Sequence, residues 1–140
     1  MNIDSIQNGY VIDHISAGRS MEIYRYLGLD ALDCSVAINK NVKSQRMGKK
    51  DIIKIDQEIP LNLELLGYID PGITVNIIRN GSRVEKKRLA LPNRVVNVIR
   101  CKNPRCITQT EQELDQVFVL TDREKQVYRC YYCEARHKGR

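Results

Sequence analysis

The sequence predicts an α+β protein in two parts: a ferredoxin-like β-α-β-β-α-β domain over residues 1–92, then a small all-β, zinc-ribbon-like domain over residues 93–140. Three observations predict it. Strand-like and helix-like stretches alternate through the first part, Leu91-Pro92-Asn93 breaks that alternation, and four cysteines in two close pairs dominate the second part. A chain of 140 residues suits one ordinary domain or two small ones, and its punctuation favours two.

Tyr10 to Ile15 is rich in β-formers and makes the first strand. Ser16-Ala17-Gly18 is a loop leading to Ser20, the expected N-cap of a helix over Met21 to Leu27, with Glu22 in its first turn and Gly28 closing it. Asp33 to Asn39 reads as a second strand, in which the lone Cys34 behaves as a small hydrophobe. Lys50 to Ile55 is a third strand, and Leu61 to Leu66 a second helix, preceded by Pro60 and ended by Gly67. Thr74 to Arg79 is the fourth strand, Asn80-Gly81 a hairpin turn, and Ser82 to Arg88 the returning fifth strand. In the second half, Val95 to Ile99, Gln116 to Leu120 and Gln126 to Arg129 read as short strands.

Cys101 and Cys106 stand in a C-x4-C spacing, Cys130 and Cys133 in C-x2-C. Two tight loops, each presenting two thiolates, close a tetrahedral coordination sphere, which predicts one structural zinc per chain with no position open for a catalytic water. Asn103-Pro104 is a turn signal inside the first knuckle. A pair of disulfides, or four buried free thiols, is the weaker alternative. The N-terminus lacks a basic stretch followed by an apolar one, so secretion is not expected and a cytoplasmic setting favours metal over disulfide. The second half is small enough that its folding should depend on the metal.

The formal net charge of +6 is modest by halves: 13 Lys+Arg against 11 Asp+Glu up to residue 92, and 10 against 6 beyond it. Four zinc-bound thiolates would add −2 to the second half, so no nucleic-acid footprint is compelled. No apolar run approaches a membrane span. An enzyme is the least favoured class, because no nucleophile with a base, open metal site or carboxylate pair emerges.

In the first half, polar residues interrupt apolar strands. Asp13 and His14 lie within Val11-Ile12-Asp13-His14-Ile15. As neighbours on a strand they should point to opposite faces, which argues against a catalytic relay and leaves either ligand contacts or a satisfied local pair. Period-two geometry puts Lys50, Ile52 and Lys54 on one face of the third strand, and Asn76 with Ile78 on one face of the fourth. Lysines among aliphatic side chains suit a ligand with an anionic tail and a flat apolar part; they equally suit a solvated face with snorkelling lysines. There is no Gly-rich phosphate loop.

Taken together, Val11-Ile12-Asp13-His14-Ile15, Met47-Gly48-Lys49-Lys50-Asp51-Ile52-Ile53-Lys54-Ile55, Thr74-Val75-Asn76, the Leu91-Pro92 junction and the two knuckles resemble the regulatory chain of aspartate carbamoyltransferase over essentially the whole length. The resemblance implies a non-catalytic subunit of pyrimidine biosynthesis that binds nucleoside triphosphates in its N-terminal domain, pairs there with a second copy of itself, and contacts the catalytic chain through its zinc domain. It implies that Asp13 meets the ribose, His14 and Lys86 the phosphates, and Lys54 the ribose and base. Ile6, Val11, Asn76 and Ile78 would line the base pocket beside Ile52, and Lys50 would couple binding to the response. The zinc ligands would be Cys101, Cys106, Cys130 and Cys133. Gly81 stands at the hairpin tip where the family pattern carries an aromatic residue. The competing class is a small zinc-ribbon nucleic-acid-binding protein. The pI of about 9.1 and Tyr131-Tyr132 beside the ligands favour it; the weak charge excess and 6% aromatic content oppose it.

Overall fold

The computed structural model describes residues 6–137. The chain divides into two units, Met1–Ala90 and Leu91–Arg140.

The first unit holds one antiparallel sheet in the order β2-β3-β1-β4-β5, with β1 at Gly9–Ser16, β2 at Val36–Ser44, β3 at Gly48–Ile55, β4 at Thr74–Arg79 and β5 at Ser82–Arg88. Two short helices, α1 (Ser20–Tyr26) and α2 (Leu63–Ile69), complete it. The first four strands follow the ferredoxin-like order expected from the sequence, and β5 extends the edge beyond β4 through the hairpin. At its tip Asn80 (φ 53°) and Gly81 (φ 77°) both take left-handed backbone, as a two-residue hairpin turn requires.

Between its bulges, period two divides the sheet into two faces. Ile12, Ile53, Ile55 and Val75 take one face and are buried, as are Ile23 of α1 and Leu66 and Ile69 of α2. The other face carries Val11, Lys54, Ile52, Asn76 and Ile78, joined across the strands by the pairs Val11↔Lys54 and Val11↔Asn76. There Ile6, Val11, Ile52 and Ile78 form a second buried cluster, flanked by Val42.

Several boundaries differ from the sequence reading. Ser20 is the first helical residue, not a cap: the N-cap is Arg19, without a side-chain hydrogen bond, and the Ser20 N–H donates to Asp51. Residues Leu29–Ala31 form a 3-10 turn that delays β2 to Val36. Helix α2 begins after Asn62, whose Oδ1 accepts from the Leu65 N–H at 3.1 Å. It then runs through Gly67 to Ile69, because Leu66, Tyr68 and Ile69 are buried and hold the turn together despite the glycine's helix penalty.

The second unit is a three-stranded antiparallel sheet, β6 (Arg94–Val96), β7 (Val117–Asp122) and β8 (Val127–Cys130), in that order. Phe118 on β7 is fully buried, pairing with Val95 on one side and Cys130 on the other. Hydrogen bonds tie the unit's entry to this sheet and the turn after β7: the Leu120 N–H to Asn93 O (2.8 Å), Arg123 Nη1 to Leu91 O (2.9 Å), Arg123 Nη2 to Asn93 Oδ1 (2.7 Å) and Tyr128 Oη to Pro92 O (2.6 Å).

Candidate functional site

The four knuckle cysteines converge. Their Sγ atoms all lie within 4.8 Å of one another, with Cys101–Cys133 at 3.6 Å and Cys106–Cys130 at 3.8 Å. A disulfide needs about 2.05 Å, so these are free thiols. A tetrahedron with zinc–sulfur bonds of about 2.3 Å has edges of about 3.8 Å, so both the spacing and the all-sulfur donor set fit a structural metal.

The backbone of each knuckle is built for thiolates. In the first, the Cys106 N–H donates to Asn103 O (3.0 Å) and the Arg105 N–H to Asn103 Oδ1 (3.1 Å), reversing the chain between the ligands. In the second, the Glu134 N–H donates to Cys130 O at 2.9 Å, Glu134 takes φ 64°, and the Ala135 N–H reaches Cys133 Sγ at 3.5 Å. The Thr108 hydroxyl donates to Cys106 Sγ at 3.1 Å. Gln116 and Gln109 hold the Cys101 backbone, with the Cys101 N–H donating to Gln116 Oε1 (2.9 Å) and Gln109 Nε2 to Cys101 O (2.6 Å). Such outer contacts orient metal ligands. Without metal, burial pushes the Cys101 thiol up to about 12 and raises Cys130 as well. Burial also works against the Cys133 thiolate, but hydrogen bonds from the Asn103 side chain, the Ala135 N–H, Cys101 and Cys130 outweigh it and bring that thiol to about 7.

In the first unit, β1 carries a bulge between Ile12 and Ile15, and His14 adopts φ 60°. The strict alternation expected for Asp13 and His14 therefore fails. The His14 N–H donates to Asp13 Oδ1 at 2.6 Å, while the His14 ring Nδ1 lies 3.1 Å from Thr74 Oγ1, and Thr74 is the cross-strand partner of Asp13. Asp13 is buried and ion-paired to Lys50 at 2.9 Å. Burial lowers the His14 pKa; Asp13 opposes this, and the positive charges of Lys50, Arg46 and Lys86 push it down further. Asp13, His14 and Lys50 are thus one cluster, within the electrostatic reach of Lys86 and of Arg46, which the sequence reading did not single out. No periodicity marks Arg46, because it lies in the β2–β3 turn.

Lys54 is buried on the same face, between Val11 on β1 and Ala37 on β2. Asn76 is buried, and its Nδ2 donates to Val11 O at 3.2 Å. Its Oδ1 accepts from Arg83 Nη1 at 3.4 Å. Ile6, Val11, Ile52 and Ile78 are buried against one another as the cluster described above. The segment leading to β1 is fastened to the hairpin and to the end of β3. The Gly81 N–H donates to Gln7 O (3.0 Å), the Asn80 N–H to Asn8 Oδ1 (3.2 Å) and the Gln7 N–H to Asp56 Oδ1 (3.1 Å).

Family models match both units: "Aspartate carbamoyltransferase regulatory chain, allosteric domain" over residues 1–90 and "Aspartate carbamoyltransferase regulatory chain, metal binding domain" over residues 93–140. Among curated relatives, an aspartate carbamoyltransferase regulatory chain of Clostridium tetani is 50% identical over 139 residues, covering 99% of this chain and 96% of the relative. One of Clostridium botulinum (strain Hall) is 48% identical, with 99% and 95% covered. One of Bifidobacterium longum is 43% identical over 138 residues, with 99% of each chain covered. With matches across both units and along nearly the full length of these relatives, the chain belongs to the aspartate carbamoyltransferase regulatory-chain family.

Proposed function

We propose that this regulatory chain binds nucleoside triphosphates on the sheet face of residues 1–92 that carries Val11, Lys54 and Asn76, and one structural zinc at Cys101, Cys106, Cys130 and Cys133. Residues 93–140 then carry the effect to the catalytic chain of a cytoplasmic aspartate carbamoyltransferase. The carrying observation is the cluster of Asp13, His14 and Lys50 beside the apolar group of Ile6, Val11, Ile52 and Ile78. Cationic groups bordering an aliphatic surface match a triphosphate joined to a base. In this reading Asp13 takes the ribose, His14 and Lys86 the phosphates and Lys54 the ribose and base, with Asn76 beside the base and Lys50 linking the cluster to the response. A second copy of the chain pairs through the first unit. The subunit itself is non-catalytic. The nucleic-acid alternative is not favoured, since both halves match regulatory-chain domains.

Calorimetric titration of ATP and CTP into the full assembly, with and without a substrate analogue on the catalytic chain, tests the proposal. Nucleotide affinity should change when the analogue is present, and the analogue's affinity should change by the same factor when nucleotide is present. Absence of nucleotide binding, or binding indifferent to the analogue, would overturn it.

A further inference from the structure

We propose that a cavity in the second unit, between the first cysteine knuckle and the C-terminal tail, binds a small oxyanion of the phosphate type, a phosphate monoester or a diphosphate. It is distinct from the nucleotide site proposed for the first unit, and it adjoins the metal centre without being part of it.

The cavity is made by the return of the chain after the second knuckle. Glu134 takes left-handed backbone (φ 64°), and the tail then runs back along β8. Ala135 O accepts from the Cys130 N–H (2.9 Å), Arg136 stands opposite Arg129, and the His137 N–H donates to Tyr128 O (2.9 Å). The His137 ring packs edge-on to buried Phe118, with centroids 5.7 Å apart and planes at 75°. Between this tail and the residues around Cys101 lies a cavity of about 340 Å³, within the range of small-molecule sites, about 300–1,000 Å³. Phe118 and Ala135 give it an apolar wall, while Arg100 and Lys102 from one segment and Arg136 from the other bring three cations to it.

Those cations have no counter-charge of their own. No carboxylate lines the cavity, and among the described residues the side chains of Arg100, Lys102 and Arg136 make neither an ion pair nor a hydrogen bond. The nearest negative charge is that of the metal centre. Four thiolates on one zinc ion carry −2 in total, and Cys101 is the one ligand among the lining residues. Three cations exceed that charge even with all of it assigned to this cavity. Like charges gathered in one place repel, so the arrangement is stabilised by a ligand that supplies the missing negative charge. The donor set selects its type. Each guanidinium presents a planar fork of N–H groups matched to phosphate oxygens, and the ammonium adds a point charge. A single carboxylate satisfies one fork, whereas a phosphate group, with three terminal oxygens and a charge of about −1.5 to −2, meets all three cations.

The test is titration of inorganic phosphate and pyrophosphate into the metal-loaded full-length chain at fixed ionic strength, followed by amide NMR shifts, with succinate and chloride as controls. Shifts should appear at residues 100–103 and 135–137. The double variant Arg100→Gln/Arg136→Gln should weaken phosphate binding there by about tenfold or more, as loss of charge-assisted contacts requires. Its zinc content and thermal unfolding should match the unmodified chain, because both side chains are exposed. Lys102→Gln, also at an exposed position, provides a milder second variant with a smaller loss of affinity. Lys86→Ala, which removes a proposed phosphate contact in the first unit, should leave these shifts unchanged. Phosphate shifts confined to the first unit would overturn the proposal, as would succinate binding as tightly as phosphate or variants that bind phosphate normally. So would an unmodified chain that binds no anion here while the double variant loses zinc faster to a chelator, which would mark the three cations as partners of the thiolates alone.

Discussion

At the scale of single residues, the Asp51 side chain orders three backbone segments. It is fully buried and accepts from the backbone N–H groups of Asn41 (2.9 Å), Gly18 (3.1 Å) and Ser20 (3.3 Å), tying the β2 bulge to the start of α1. Burial alone would raise its pKa, but hydrogen bonds from Ser20, Asn41 and Gly18 outweigh that and hold the carboxyl below its usual range. A folded-state pKa below the unfolded value contributes stability above the unfolded pKa, near 3.9, and that contribution is lost as pH falls through the folded value. Asp51→Asn should therefore destabilise the first unit by about 1–3 kcal/mol at neutral pH, and the gap should narrow in denaturant titrations below about pH 4. At the proposed nucleotide site the sign is different. His14 titrates below its ordinary range, so it is largely neutral at pH 7. A triphosphate beside it would favour the charged form, so nucleotide binding should take up a proton and tighten as pH falls from about 7 toward 6. Buffer-dependent calorimetric enthalpies read this uptake directly, and it should vanish in His14→Asn. Lys86→Ala should weaken triphosphate binding by about 1.5–3 kcal/mol while leaving nucleoside binding nearly unchanged, as a charge-assisted phosphate contact requires.

At the scale of elements, the start of β1 is the least forgiving point. Gly9 pairs with Ile78, and a Cβ there would fall inside the van der Waals shell of the Ile55 carbonyl oxygen and lie 2.8 Å from Gln57 N. Gly9→Ala must therefore push β1 off β3, at a cost of about 1–3 kcal/mol or more, and open the Ile6–Val11–Ile52–Ile78 cluster with it. Differential scanning calorimetry should show the first unit's transition shifted down and the metal unit's unchanged. Elements whose boundaries are written locally were legible in the sequence. Asn80-Gly81 fixes both ends of its hairpin, so β4 and β5 were read at their observed limits. The four cysteines, set by spacing alone, were placed in one cluster. Elements whose limits depend on distant partners were not. The sequence ends α2 at Gly67, but burial of Tyr68 and Ile69 carries the helix past it. It starts β2 at Asp33, but β2 takes its register from β3, with a bulge after Asn39 that makes room for Asp51. The bulges at His14 and Val84 have no signature along the chain, because an inserted residue is defined only by what lies across from it. They also shape the face that carries Asp13 and Asn76, so that strict alternation, which sends Asp13 and His14 to opposite sides, does not hold there.

For the whole molecule, the proposed reading puts metal and effector on different units, with the chain between them linking the two. Chelation, or Cys130→Ser, should unfold residues 91–140 and abolish binding to the catalytic chain, while residues 1–90 keep their thermal transition and nucleotide affinity. The connection is short. The Leu89 N–H is bonded to Ile73 O at 3.2 Å in the first unit, and Leu91 O to Arg123 at 2.9 Å in the second, so Ala90 stands between the two anchors. Because Pro92 O is also held, by Tyr128 at 2.6 Å, an insertion after Pro92 would disturb the second unit itself, whereas one between Ala90 and Leu91 cuts no such bond. In the proposed reading a nucleotide alters the partner enzyme only through a difference in affinity for its two quaternary states, typically about 1–3 kcal/mol, and this connection is the route by which that difference is expected to reach the second unit. A flexible Gly-Ser insert between Ala90 and Leu91 should therefore leave nucleotide affinity and metal content intact. Each doubling of such a linker costs only about 0.6 kcal/mol in chain entropy, so assembly with the catalytic chain should survive. What should fall is the coupling, measured as the shift in nucleotide affinity on adding a substrate analogue. An insert variant that retained the full shift would mean that the effect reaches the catalytic chain without a short, held connection between the two units.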